Sequence, residues 1–334
     1  MILVTGGCGY IGAHCVVNLI QNNYNVIVID NFSNCSPNSS KSIQSILGKN
    51  VNIIKCDIRD KELLDKIFKK NCIESVFHFA GLKSISESFV SPLDYYSVNV
   101  MGTITLLEVM KKNNVNNLIF SSSATVYNKL DPLPWNEKLK IELPDNPYAQ
   151  TKYIVEKLLM NFYDSNKSFN AGVLRYFNPI GSHKSGLIGD KIDGSTNLVP
   201  TISSYLLNKR SYLPVYGDDY DTFDGSGVRD YIHIDDLIDG HIKALEYIIN
   251  HKGYHVWNLG SGKGYSVFEM IKMFEKLSNK SFNLKILNKR EGDLSEYWAD
   301  ISKAKNELMW YPKNDINKMV SDTLLYLEKS KVKK

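Results

Sequence analysis

A glycine-rich turn between a short apolar strand and a helix, set at the start of the chain, restricts the fold more than anything that follows it. Met1-Ile2-Leu3-Val4-Thr5 reads as the strand, and Ala13 to Gln21 carries a helical apolar pattern. Between them the glycines fall as Gly6-x-x-Gly9-x-x-Gly12. In such a turn the first glycine makes the tight bend and the second lets backbone approach a pyrophosphate. The third lets helix and strand pack closely, with the phosphates at a helix N-terminus where free N–H groups and the dipole favour anions. The motif carries weight only in this strand–turn–helix context, which is present. A second apolar strand, Asn25 to Ile29, ends in Asp30, 18 residues after Gly12. A carboxylate there is placed to take the adenosine ribose hydroxyls and to repel a 2′-phosphate, so NAD is expected rather than NADP.

Strand and helix patterns alternate through the first half. Strands are expected at Val51–Lys55, Ser75–Phe79, Leu118–Ser123 and Ala171–Tyr176. Helices are expected at Ile58–Lys70, Asn99–Asn113 and Tyr148–Tyr163, the second with Ile104, Leu107, Val109 and Met110 on its apolar side. This alternation implies an α/β fold of the Rossmann type, a doubly wound parallel sheet covered on both faces. Ligands of such sheets bind beyond the carboxyl ends of the strands. Those ends carry Gly6, Asp30, Asp57, Ala80-Gly81, Ser123 and Phe177-Asn178, which should line one crevice.

After Asn178 the texture changes. Pro179 to Asn197 is rich in Gly, Ser and Asp and reads as a long loop, a kind of segment that is often functional. A helix near Val199–Leu207, a strand at Leu213–Tyr216, a helix at Ile234–Asn250 and a final helix at Ile316–Lys329 follow. The expected division is an NAD-binding domain over 1–177 and a smaller α/β substrate domain over 178–334. Parts around 229–260 are expected to pack back on the first domain.

Tyr148-Ala149-Gln150-Thr151-Lys152 is the candidate catalytic stretch. Residues four apart share a helix face. A phenol starts near pKa of about 10, and the Lys152 ammonium and a positive nicotinamide ring would both lower it toward the range of a general base. Ser121-Ser122-Ser123-Ala124-Thr125, at the end of the fifth strand, places hydroxyls where they can share a hydrogen bond with a substrate alcohol and the phenol. Tyrosine, lysine, serine and a dinucleotide site together form an alcohol-oxidising set.

Composition removes several other classes. An apolar share of 43%, a charged share of 23% and a net charge of +4 are those of a globular chain. No basic stretch has the aromatic interleaving of a nucleic-acid site. No apolar run reaches the roughly 20 residues of a membrane span, and the N-terminal core strand leaves no room for a signal peptide. The five cysteines include no C-x-x-C, and the seven histidines no H-E-x-x-H. Free thiols in a reducing cytoplasm and no metal are therefore expected.

Longer stretches carry a resemblance. His78-Phe79-Ala80-Gly81-Leu82-Lys83, Phe120 through Tyr127, Leu174 through Pro179, Gly227 through His233, Asn258-Leu259-Gly260 and Arg290-Glu291-Gly292-Asp293 join the first turn in one order along the chain. On these motifs the sequence resembles the extended short-chain dehydrogenase/reductase superfamily, and within it the UDP-galactose 4-epimerase family. The resemblance implies interconversion of UDP-galactose and UDP-glucose at sugar C4 with tightly held NAD. It implies Tyr148 as base, Ser123 and Thr125 on the reacting hydroxyl, and Lys152 on the nicotinamide ribose. It places Gly6, Gly9, Tyr10, Ile11, Gly12, Asp30, Asn31, Asp57, Ile58, Phe79, Ala80, Gly81, Lys83 and Phe177 at the cofactor, with Ser123, Tyr148 and Lys152. The UDP-sugar would meet Lys83, Asn178, Asn197, Leu198, Arg229, Arg290 and Asp293, with Tyr216 by the uracil and Tyr297 as a gate beside the sugar. A homodimer through a four-helix bundle of the Asn99–Asn113 and Tyr148–Tyr163 helices is also implied.

Three positions depart from the family pattern. Cys8 stands for Ser or Gly, Asn128 for a Gly, and Val98 where some relatives carry Asn by the cofactor. A sugar-nucleotide dehydratase would share the fold, but its acid pair after the threonine is replaced here by Val126-Tyr127. A net dehydrogenase and a non-enzymatic NAD-binding regulatory protein are the other readings, the last disfavoured by the intact tyrosine and lysine.

Overall fold

Apolar runs buried on both faces, rather than alternating ones, build the inner strands of the central sheet in the computed structural model, which describes residues 1–35, 38–192, 196–290 and 292–332. Its first elements alternate: β1 (Ile2–Thr5), α1 (Tyr10–Gln21), β2 (Val26–Asp30), α2 (Asn38–Leu47), β3 (Asn52–Lys55), α3 (Lys61–Lys70) and β4 (Ser75–His78). Short helices α4 (Ile85–Val90) and α5 (Pro92–Tyr95) run through a π-helical turn, Tyr96–Met101, into α6 (Gly102–Lys112). Then come β5 (Asn117–Ser123), α7 (Pro147–Ser165) and β6 (Asn170–Tyr176). The second half holds β7 (Asn178–Ile180), α8 (Leu198–Leu206), β8 (Leu213–Tyr216), β9 (Val228–His233), α9 (Ile234–Asn250), β10 (Tyr254–Leu259), β11 (Gly264–Ser266) and α10 (Val267–Ser278). β12 (Leu284–Leu287), β13 (Glu296–Tyr297), α11 (Ser302–Leu308) and α12 (Ile316–Val332) complete it.

Seven parallel strands lie in the order β10-β6-β5-β4-β1-β2-β3. Strand order reverses between β1 and β4, which is where doubly wound sheets bind ligands. Successive residues point to opposite faces. Val4, Val28 and Ile119 pack in one core with α1 and α9. Leu3, Ile27, Leu118 and Phe120 pack in the other with α3, α6 and α7. A third core gathers α8, β8, β9, α10 and α12. Around it lie two small sheets: β9 with β7, β11 and β13, and β8 with β12. Among the described residues no helix is long and apolar enough to cross a membrane.

Several sequence expectations need correction. The first helix begins at Tyr10, not Ala13, so its first turn lies inside the glycine motif. The third helix begins at Lys61 rather than Ile58, because the Asp60 side chain accepts from Leu63 N–H and caps it there. The Asn99–Asn113 stretch is not one α-helix: its first turn is π-helical. Leu106, rather than Ile104, is in the core on that helix. The expected loop from Pro179 opens as a strand, Asn178–Ile180, paired with β9. Its residues 193–195, together with Glu291 and the last two lysines of the tail, lie outside the described residues.

Candidate active site

The turn after β1 is closed by contacts that only glycine permits. A Cβ on Gly6 would lie 2.7 Å from the Ala80 nitrogen, and Gly6 has φ of +65°. A Cβ on Gly12 would run into the Gly6 carbonyl oxygen. Gly9 caps α1 without a side chain, so no side chain competes for the N–H groups of that first turn, where Tyr10, Ile11 and Gly12 sit. Asp30 ends β2, buried, and accepts from Cys8 N–H at 2.9 Å and Phe32 N–H at 2.8 Å. Asn31 donates to Asp57 at 3.0 Å. Asp57 is also gripped by the Arg59 guanidinium through Nε and Nη2, both at 2.9 Å, which holds its carboxyl well below the usual range. Ile58 is buried, directly beneath Gly102.

Tyr148 and Lys152 come together at the end of β5. Asn146 caps α7 by accepting from Ala149 N–H at 2.9 Å, and Pro147 opens it. That start point puts Tyr148 in the first turn and Lys152 one turn on, both buried. Lys152 Nζ donates to the Ser121 carbonyl at 2.8 Å and lies 5.0 Å from the Phe120 ring centre and 5.8 Å from that of Tyr148. Ser123 Oγ accepts from Thr125 Oγ1 at 2.9 Å, and its hydroxyl is near enough to the Tyr148 phenol to pull that group down. Gly81 closes the group: a Cβ there would be 3.9 Å from Lys152 Nζ and 3.0 Å from Asn99 Oδ1.

Lys152 by itself does not lower the phenol. Burial pushes the Tyr148 phenol above its ordinary value, against the pull of the Ser123 hydroxyl. Burial likewise pushes Lys152 down, to about 8, against the attraction of Glu156. The ammonium is aimed at a carbonyl and an aromatic face, so it does not by itself offset the desolvation of the phenol.

The remaining expected residues form two further groups. Phe79 packs 5.1 Å from His241, and Lys83 pairs with Asp190 at 2.9 Å on the outside. In the second half, Asn178 donates to the Asp230 carbonyl at 2.8 Å. Arg229 turns its fork onto the carbonyls of Val228 and Leu294, at 2.9 and 2.8 Å, and stacks 4.7 Å over Tyr297. Arg290 pairs with Asp293 at 2.8 Å, stacks 4.8 Å over Tyr216, and donates to the Thr196 carbonyl, next to Asn197 and Leu198. Phe177 and Tyr297 lie 6.0 Å apart.

Two residues of this region have no signal that sequence reasoning catches. Trp135 stacks on Tyr297, with ring centres 5.1 Å apart and planes 7° from parallel. It sits in an irregular stretch without periodicity. Asn99, one position beyond Val98, donates to Thr151 Oγ1 at 3.0 Å and to the Leu82 carbonyl at 3.1 Å, and accepts from Leu82 N–H at 2.8 Å. A buried asparagine thus stands beside Val98, on the π-helical turn. Such turns often accompany functional sites.

Residues 2–260 match the model of the NAD-dependent epimerase/dehydratase family. The chain is 47% identical, over 96% of each chain, to the UDP-glucose 4-epimerase of Haemophilus influenzae. A UDP-glucose 4-epimerase from Stenotrophomonas maltophila, solved with NAD and formylated UDP-arabinopyranose, superposes with a TM-score of 0.97 at 37% identity, covering 100% of this chain and 99% of that one. The Bifidobacterium longum UDP-glucose 4-epimerase, solved with NAD+ and UDP, gives 0.93 at 42% identity over 99% and 98%.

Proposed function

The chain belongs to the NAD-dependent epimerase/dehydratase family, and we propose that it interconverts UDP-galactose and UDP-glucose by reversible oxidation at sugar C4. The observation that carries this is the meeting of Tyr148, Lys152 and Ser123 at the end of β5, on the strand-end side of the sheet where the glycine turn lies. The relatives at 47% and 46% identity over almost the whole chain are UDP-glucose 4-epimerases, and solved relatives hold NAD with UDP or a UDP-sugar.

The residues present fit the cofactor. An uncapped helix start and a cradle that a Cβ would fill suit a pyrophosphate. Buried Asp30 at the end of β2 suits the adenosine ribose. Lys152 would hold the nicotinamide ribose, with Phe79, Ala80, Gly81 and Phe177 around the ring and Asn31, Asp57 and Ile58 at the adenosine end. When bound, NAD would supply the reversible redox chemistry at sugar C4. Tyr148 removes the 4-hydroxyl proton and gives it back, while Ser123 and Thr125 hold that oxygen by hydrogen bonds. Arg229 and Arg290 supply the cationic side of the diphosphate site. Asn178, Asn197, Leu198 and Asp293 line it, Lys83 borders the cofactor and the sugar nucleotide, and Tyr216 lies by the uracil. Val126-Tyr127 follow Thr125 where a dehydratase carries its acid pair, and the Tyr127 hydroxyl is bonded to Asn258 at 2.6 Å.

Protein incubated with UDP-galactose and no added NAD tests the proposal. UDP-glucose is expected. A 4-keto-6-deoxy sugar would mean a dehydratase, and no turnover a binding protein. The same assay reads substrate breadth. Tyr297, held between Trp135 and Arg229, narrows the space beside the sugar, so UDP-N-acetylglucosamine should turn over slower by at least ~10-fold. Comparable rates would remove the gate role from Tyr297.

The oligomeric state belongs to the same proposal. Phe89, Val90, Leu93 and Met101 stand exposed on the segment that packs beside α7. A homodimer through a four-helix bundle that includes α6 and α7 would cover them. Cytoplasmic placement fits five cysteines that are all free.

A further inference from the structure

Asp230 is a buried carboxylate that the reaction does not use. It lies on β9 with no exposed surface, and its oxygens accept four hydrogen bonds from uncharged donors. Ser261 N–H and Ser261 Oγ both reach Oδ1 at 2.7 Å. Gly262 N–H and Ala299 N–H both reach Oδ2 at 3.1 Å. Burial pushes the carboxyl up to about 6, against the pull of these bonds. A buried charge is expensive, and an apolar residue of similar size would serve packing alone at lower cost.

The donors come from segments far apart in sequence. Ser261 and Gly262 follow β10, an edge strand of the large sheet. Ala299 stands two residues after Tyr297. On the main chain, the Asp230 carbonyl accepts from Asn178. One residue therefore ties together the sheet edge, the strand bearing Asn178 and the segment bearing Tyr297. Its neighbour Arg229 spans the same segment, bonding the Leu294 and Ser295 carbonyls at 2.8 and 3.3 Å beneath its stack on Tyr297. Gly260 is shaped to this arrangement: a Cβ there would lie 2.5 Å from Asp230 Oδ2 and 2.8 Å from the Ala299 Cβ. The glycine of Asn258-Leu259-Gly260 is thus the clearance that lets the carboxylate reach its donors.

We propose that Asp230 is a positioning residue for the UDP-sugar, pinning the 294–300 segment to β9 and to the end of β10 so that Arg229, Asn178 and Tyr297 face the ligand in one fixed arrangement. This rests on the reading that those three residues meet the UDP-sugar. The residues expected to hold NAD, in the glycine turn, at Asp30 and at Lys152, make their bonds without Asp230, so NAD content should not depend on the pin.

Asp230→Asn tests it in the holoenzyme. The amide keeps the size but turns an NH2 toward N–H donors, leaving groups unpaired. KM for UDP-galactose should rise about 10-fold, with kcat within about 3-fold of the parent and NAD content unchanged. The affinity for UDP alone, measured by calorimetry, should fall in parallel. A residue with only a structural role would lower the folded or NAD-loaded fraction and leave KM as it was, and that result overturns the proposal. Ser261→Ala removes one donor and should raise KM by about 2-fold. If Asp230→Asn does not fold, an unchanged KM in Ser261→Ala overturns the proposal instead. If the parent does not turn over UDP-galactose, the functional reading fails on that count. UDP affinity then still decides the role of Asp230.

Discussion

Tyr148→Phe lowers kcat by at least ~10²-fold and leaves the bound NAD in place. The substitution removes one oxygen and nothing else. The ring keeps its edge-to-face contact with Tyr95, whose centre is 6.4 Å away, and α7 keeps its Asn146 cap. Lys152 keeps its bond to the Ser121 carbonyl, because that bond does not involve the phenol. What is lost is proton transfer in the transition state, a contribution of about 10²–10⁴. The phenol lies above its ordinary value in the protein alone, so nearby positive charge must bring it into range. Lys152, pushed down to about 8, still carries most of its charge at pH 7. Steady-state rates with UDP-galactose, together with NAD released on denaturation, check the result. A variant within about 3-fold of the parent kcat would take the base role away from Tyr148.

Short-range pattern makes much of this site legible in the sequence. The turn at Gly6, Gly9 and Gly12 is legible within seven residues because its spacing is local, and a Cβ on Gly12 would meet the Gly6 carbonyl oxygen, although the close approach of Ala80 to Gly6 comes from far along the chain. Tyr148 and Lys152 are legible because the helix period alone puts them on one face. Ser123 is legible because a strand end is easy to find. What stays hidden depends on distant partners or on burial. Tyr10 begins α1 because the turn and helix pack as one unit, while glycine's poor helix propensity argues for a later start. The start of α3 turns on one cap, Asp60, in a stretch where Asp57 and Ile58 also invite a start. Asn99 escapes because a π-helical turn breaks the period on which helical faces are counted. Trp135 is placed by pairing with Ala299 and by bonds to residues 298 and 300, more than 160 positions away. The direction of the Tyr148 shift follows from desolvation, which no spacing encodes.

Removing Arg175 should cost the fold more than any other single change near the site. Arg175 on β6 grips Glu156 on α7 through Nη2 at 2.6 Å and Nε at 3.0 Å, with both side chains almost wholly buried. Glu156 also accepts from Ser122 Oγ at 2.5 Å, and Arg175 donates to the Tyr127 hydroxyl at 3.2 Å, which in turn donates to Asn258 on β10. The network therefore joins the helix that bears Tyr148 and Lys152 to three strands of the sheet. Arg175→Ala leaves a carboxylate buried without its partner. Breaking such a pair costs about 3–5 kcal/mol, which for a chain of this length is a fall in Tm of roughly 4–7 °C. Glu156 stands one turn beyond Lys152, so the orphaned carboxylate should also disturb the lysine and lower kcat. The double variant Arg175→Met with Glu156→Leu buries no unpaired charge and should recover part of the loss. That non-additivity separates a broken pair from a simple cavity. Urea or thermal unfolding at equal NAD content measures it. A single variant within about 1 kcal/mol of the parent would show that water or local rearrangement satisfies Glu156 in its place.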